Sequence, residues 1–522
     1  MDALADSLKV IADWITQHIT MWALIATGLF LTAVTRGVQV RHLPTMIRQV
    51  ASSRSGARGG ISSFQAFAIS LAARVGVGNV FGVAAALLYG GPGAVFWMWV
   101  VALVGMATAF FEATLAQIFK VRAPDGSFRG GPAFYMARGM GGAGGRVMAG
   151  VFAVITLVAC GFIITSVQSN AVAGTLVAAL GGGEGSALPG FGGLSAAQLV
   201  VAGLVLVLTA VVVFGGIRAV ARVTEWMAPV MALIYIVLVA VVCLLNLGDF
   251  WRVIGRIISS AFAPEPLAGG LGGGVLAAVI NGTKRGLFSN EAGQGTAPNA
   301  AATATVAHPV QQGLIQSLGV FVDTIVVCTA TAFVILIAGP DTWTAPGANP
   351  STLTTLAIAH GLGGWTVLPM AVLIFVLAYS SIIAAYVYTD VNMDYLTGGR
   401  RWASWTVRVV SVASATAGAV LSLDVVWNAV DIAMAVMTLT NLVALIRLHR
   451  WGAGALRDYE DQLRAGAAEP VFRGRDNPRL PGDVPGGVWS SSDDADVTAA
   501  AADDGSAPAP LAASPAPATT EE

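Results

Sequence analysis

Charge is what this chain has least of: only 11% of its 522 residues are Asp, Glu, Lys or Arg, where soluble domains carry about a quarter. The net charge of -1 decides nothing about nucleic acid by itself, but no run of Lys and Arg resembles a nucleic-acid footprint, and no nucleic-acid partner is expected. Cysteine is as scarce. Cys160, Cys243 and Cys328 stand alone in apolar segments, an odd number without CxxC spacing, which excludes a disulfide framework and a thiolate metal site. Also missing are an HExxH sequence, a nucleophile elbow and any metal-ligand cluster, so a membrane-embedded enzyme is not expected.

What fills the chain is apolar: 56% of residues are hydrophobic and the mean hydropathy is +0.74. Windows of about 20 residues, enough to cross a hydrocarbon core, recur near 14–35, 62–90, 93–119, 147–175, 197–216, 227–247, 270–301, 309–338, 364–390, 403–421 and 425–446. The expected fold class is therefore an all-α polytopic membrane protein with about eleven transmembrane helices. The first window lacks a basic leader, since Lys9 follows Asp2 and Asp6, and no small-residue cleavage site comes after it, so it reads as a retained helix. Lys and Arg alternate between loops: Arg36 to Arg58, Lys120 to Arg146, Arg218 and Arg222, Arg400 and Arg401, and Arg447 to Arg457. Arg252 and Arg256 fall against that alternation, and the loop near 302–308 adds almost nothing. The positive-inside rule then places the N-terminus outside and the C-terminus in the cytoplasm of a cell inner membrane. Beyond about residue 466 the chain turns to Pro, Ala, Ser, Asp and Gly, a composition expected to be disordered.

Two of the apolar windows interrupt themselves. In "AARVGVGNVFG" (72–82) three glycines, an asparagine and an arginine stand near mid-depth of a span. Glycine costs a helix interior about 0.8–1.0 kcal/mol relative to alanine, and backbone freed from helical bonding is tolerated at that depth only inside protein or beside a cavity. Close approach of two helices explains the glycines alone equally well. A second interruption, "NGTKRGLFSNEAGQGTAPNAA" (281–301), changes the balance. Counted from 62–90 as the first of ten, it lies in the sixth helix, so each broken helix opens a block of five, and five being odd, the blocks run in opposite senses. Paired interruptions in inverted halves point to a secondary transporter with its site at the membrane midplane. The boundaries read 1–61 for an additional N-terminal helix with a basic loop, 62–247 and 248–450 for the two five-helix repeats, and 451–522 for a cytoplasmic tail.

The stretches "VGVGN" (75–79), "GGPGAVFWMWV" (91–101), "VQSNAVAG" (167–174) and above all "KRGLFSNEAGQGTAPNAAATA" (284–304) resemble the alanine or glycine:cation symporter family over residues 20–450. That resemblance implies a LeuT-type inverted five-plus-five repeat and sodium-driven uptake of alanine or glycine. It implies a substrate carboxylate held by the backbone amides of Val77 and Gly78, with Gly76 also in the substrate site. The carbonyls of Ala72 and Val75 with the hydroxyls of Ser380 and Ser381 would hold sodium, as oxygen-only coordination suits a hard cation. Asn79, Gln168 and Asn170 are amides that can donate and accept without adding charge, and with Thr283 they complete the expected substrate contacts; Asn170 is two residues from Gln168 and so on another helix face. Many family members carry a hydroxyl residue where Val77 stands, a small residue in place of Phe81, and threonines in place of Ser380 and Ser381. These departures leave the amino acid open. A proton-coupled carrier, a carrier of a larger neutral amino acid such as glutamine, and a channel or amino-acid sensor on the same scaffold are the alternatives. No bound cofactor is expected besides sodium as the coupling ion; the other partners are the amino acid and the bilayer. Arg74, Lys284 and Arg285 lie at membrane depth, where cations need partners. Glu112, Glu225, Glu291 and Asp323 are the candidates; Asp323, the one acid placed deep in the membrane, is open to a role as proton or sodium carrier but is expected to bridge Lys284 or Arg285.

Overall fold

A chain that must satisfy every backbone polar group inside lipid has the helix as its simplest solution, and the computed structural model is helical almost throughout. It describes residues 2–52, 60–123, 126–179, 194–263, 274–344, 348–420 and 424–489. Among them the only sheet is a hairpin of Val121–Arg122 with Phe128–Arg129. The main helices are α1 (Val10–Val34), α2 (Ser63–Arg74), α3 (Gly78–Gly90), α4 (Gly93–Ile118), α5 (Gly142–Val177), α6 (Ala196–Val213) and α7 (Gly216–Leu245). They continue with α8 (Leu247–Ala261), α9 (Gly274–Asn290), α10 (Ala297–Ala301), α11 (Pro309–Ile337), α12 (Pro350–Leu362), α13 (Gly364–Thr397), α14 (Arg401–Val420) and α15 (Asp424–Arg464).

By length and apolarity eight helices among the described residues can cross a membrane, or nine when α2 and α3 count as one span bent by 46°. Eleven were expected. The two that fall short are instructive. The window 270–301 is split into α9, of 17 residues, and the five-residue α10; the window 403–421 becomes α14, whose 20 residues include Arg401, Arg408, Ser404, Ser411 and Ser414. The first lacks the length and the second the apolarity of a free-standing span.

Helix α2 starts at a reciprocal capping box: Ser62 Oγ accepts from Gln65 N at 3.1 Å, and Gln65 Oε1 accepts from Ser62 N at 3.0 Å. That satisfies two of the free donors every helix start exposes. Helix α4 packs against α9 and α11, and α5 against α13 and α14, which brings the two broken helices together at the centre. On the outside, α6 and α7 expose Val207, Val211, Leu233 and Leu244, the surface expected where protein meets acyl chains, with Trp226, Trp251 and Trp405 also exposed as amphipathic anchors.

The chain after α15 differs from its compositional expectation. Residues 467–489 return to the helical body: Phe472 N donates to Ala307 O at 3.0 Å, Trp489 Nε1 donates to Gln117 O at 3.0 Å, and Phe472 and Val484 are buried. Residues 490–522, where the rest of the expected tail falls, lie outside the described residues.

Candidate functional site

The glycine-rich break is real, and its surroundings explain the glycines one by one. Helix α2 stops at Arg74, the backbone turns at Val75 (φ -77°, ψ 77°), and helix resumes at Gly78. A Cβ on Gly76 would collide with Ser381 Oγ of α13 and lie 3.4 Å from both terminal atoms of Gln168 on α5. A Cβ on Gly78 would lie 3.1 Å from the Phe288 ring and 3.3 Å from Ser289 Cα of α9. Gly76 is thus wedged between α5 and α13, and Gly78 against the second broken helix.

Oxygen atoms converge on the end of α2. Ser380 Oγ and Ser381 Oγ each donate to the Ala72 carbonyl at 3.0 Å, and Ser381 Oγ also lies 3.1 Å from the Ala73 carbonyl. Carbonyls and hydroxyls without a carboxylate form a donor set suited to a small hard cation, and among the described residues no group of three or more His, Cys, Asp and Glu offers a different metal site. Val75, the fourth expected ligand, is wholly buried at the turn. On the other side of the break, Gln168 Oε1 accepts from Val77 N at 3.4 Å, a long bond that a stronger acceptor such as a carboxylate can replace.

Asn79 is placed differently from its expected role. Its Oδ1 accepts from Gly76 N at 3.0 Å, closing the break on itself, while Nδ2 donates to Asp323 Oδ1 at 2.7 Å. Its amide is therefore occupied by the protein. Asn170 lines a cavity on the other side of Phe288, apart from Gln168, as the two-residue spacing implies. Thr283 makes no hydrogen bond to the residues of the break. It stands five residues before Phe288, about 140° around a helix, and its buried hydroxyl has no hydrogen-bond partner among the described residues.

The charges pair otherwise than expected. Asp323 meets neither Lys284 nor Arg285: besides Asn79 it accepts from Ser289 Oγ at 2.9 Å and Thr324 Oγ1 at 2.7 Å. Lys284 instead joins Asp13 of α1 at 2.9 Å and Asp431 of α15 at 2.5 Å. Arg74, 2% exposed, donates to the carbonyl and side chain of Gln316 at 3.3 and 3.2 Å and forms no ion pair with the four acids considered.

The second break, 291–296, is held by a residue that the sequence offered only as a candidate partner for a buried cation. Glu112 of α4 accepts from Gly295 N at 2.8 Å with one oxygen and from Gly293 N at 3.1 Å with the other. Asn441 of α15 donates to the same carboxyl at 2.5 Å and to Gly293 O at 3.0 Å. Gly293 and Gly295 adopt φ of +85° and +82°, the left-handed region that favours glycine. An acid isolated in the apolar run "MATAFFEATLAQI" was the available signal.

A family model described as the sodium:alanine symporter family matches residues 1–474. The chain belongs to that family. The amino-acid carrier protein AlsT of Bacillus subtilis (strain 168) is 40% identical over 482 residues, covering 92% of this chain and 97% of the relative. The probable sodium/glutamine symporter GlnT of the same organism is 38% identical over 464 residues, 88% and 91% of the two chains. The crystal structure of MhsT in complex with L-phenylalanine superposes with a TM-score of 0.51 at 15% identity, covering 77% of this chain and 90% of that one. That likeness concerns the fold, which is of the LeuT type, and the family makes the chain a multi-pass membrane transporter.

Proposed function

We propose that this symporter couples sodium to the uptake of small neutral amino acids, alanine and glycine, by alternating access around the break at residues 75–78. The observation that carries the reading is the shared backbone: the end of α2 offers carbonyls to the serine pair on one side, and the break beside it offers the Val77 amide to Gln168 on the other. In this reading the amides of Val77 and Gly78, at the positive end of α3, receive the substrate carboxylate, with Gln168 beside it and Gly76 leaving room for the approach. Sodium takes the carbonyls of Ala72 and Val75 and the hydroxyls of Ser380 and Ser381. The ion orders the same turn that binds the amino acid, so each ligand favours the other, which is the energetic content of coupling. Asn79 and Glu112 hold the two breaks in shape rather than touching the substrate. The repeats 62–247 and 248–450 rock against each other, with the N-terminus outside and the C-terminus in the cytoplasm.

Uptake of labelled alanine into liposomes holding the purified protein tests this reading. An inward sodium gradient is expected to drive accumulation, potassium in its place is not, and unlabelled glycine should compete. Accumulation driven by a proton gradient and indifferent to sodium contradicts it. Glutamine is the second reading, favoured by the 38% identity to a relative named for that substrate; stronger competition by glutamine than by glycine would select it.

A further inference from the structure

Beyond Phe288 the structure holds a cavity of about 680 Å³, far larger than an alanine molecule needs. Its walls come from α3, α5, α9, α12 and α13, and Phe288 closes its inner end against Gly78. One charged side chain lines it, Arg285, one helical turn from Phe288 on the same face of α9. The neighbouring Lys284 is neutralised by Asp13 and Asp431. Arg285 has no such compensation: its Nε is buried without a hydrogen-bond partner, and it forms no ion pair among the described residues. No Asp or Glu is among the described residues lining the cavity; its other polar side chains are hydroxyls and amides, including Tyr89, Asn170, Thr175 and Thr355.

A guanidinium with no counter-charge among the described residues, in a largely apolar cavity, is a site for a carboxylate, which it can grip with two parallel hydrogen bonds. Neutral carbonyls and hydroxyls can accept from an ammonium but repel nothing, whereas the unpaired positive charge disfavours cationic side chains. The ligand class this chemistry selects is the α-amino-acid zwitterion. We propose that the outer cavity is a staging site, in which Arg285 takes the carboxylate of an incoming neutral amino acid before Phe288 yields and the same carboxylate passes to the amides of the central break. The inference rests on the reading in the preceding subsection and adds a second amino-acid site to it.

Equilibrium binding of labelled alanine to the purified full-length chain in saturating sodium tests the proposal. The wild-type protein is expected to bind two molecules per chain. Arg285→Gln should bind one, with the tighter site unchanged, and in liposomes its KM should rise about ten-fold, the scale of one lost charge-assisted hydrogen bond, while kcat stays within about two-fold. Arg285→Lys should retain both sites. Gly174→Phe, which fills the cavity from α5 at a position with open space beside it, should also leave one site, and it decides the matter if Arg285→Gln does not fold. A wild-type stoichiometry of one, two sites in both Arg285→Gln and Gly174→Phe, or a fall in kcat at unchanged KM in Arg285→Gln overturns the staging site while leaving the coupled-transport reading intact. Absence of any sodium-dependent binding of alanine, glycine or glutamine overturns both.

Discussion

Gly76 is the position where sequence and function meet most tightly. Its missing side chain leaves room for Ser381 Oγ, and the same residue donates its amide to Asn79 Oδ1. Gly76→Ala should therefore raise both the sodium concentration needed for half-maximal uptake and the alanine KM by about ten-fold or more, since a methyl there displaces a ligand from each side of the turn; unchanged values would show that the serine pair does not serve the site. Lys120 gives a prediction of another kind. It follows α4 in the turn before the hairpin, buried, with Nζ donating to Ala304 O at 3.0 Å and stacked over Phe128 and Trp489. Burial pushes its ammonium down from 10.5 to about 7. Between about pH 7 and 10.5 the unfolded chain binds the proton that the folded chain releases, so stability rises with pH across that window. Thermal unfolding should show this rise in the wild-type protein and a flatter profile in Lys120→Met. The residue-level surprises share one cause. Asn79 and Asp323 are 244 positions apart in sequence, and the amide that reads as a substrate contact is instead held by an acid that only the folded chain brings within reach.

At the scale of elements, the breaks were readable and their supports were not. "RVGVG" and "SNEAGQG" announce themselves because glycine and polar residues are out of place in a buried helix, and their spacing by five spans gives the inverted halves. Nothing local says that Glu112 of α4 holds the second break, because a single acid in an apolar run has many potential partners. The serine pair at 380 and 381 gained a role only through family resemblance, since most such pairs bond their own helix; here Ser380 and Ser381 do both, reaching Leu377 O as well as Ala72 O. Glu112→Gln replaces one accepting oxygen with an amide group facing a backbone N–H. It should cost about 1–3 kcal/mol of stability, measured by thermal unfolding, and lower transport without changing the sodium dependence of what remains. Equal stability to wild type would show that the second break is held by Asn441 and the glycines alone. The returning segment 467–489 was hidden for a compositional reason. Its Pro, Gly and charge read as disorder, but Phe472, Leu480, Val484 and Trp489 are enough to dock on a body already folded, a distinction that composition does not make.

For the whole molecule, the account comes down to linkage: one unwound turn serves two ligands, so neither binds as well alone. Reciprocity requires that sodium raise alanine affinity by the same factor by which alanine raises sodium affinity. Lipid-facing apolar helices, the docked segment 467–489 and the ion-paired α1, α9 and α15 form the frame within which that turn can be ordered or released. Alanine binding to the purified protein as a function of sodium concentration, in wild type and in Ser381→Ala, tests this most directly. The account predicts that alanine affinity climbs with sodium in the wild type and that Ser381→Ala needs about ten-fold more sodium for the same climb, the loss of one oxygen ligand. Alanine affinity that is the same in sodium and in potassium would contradict it.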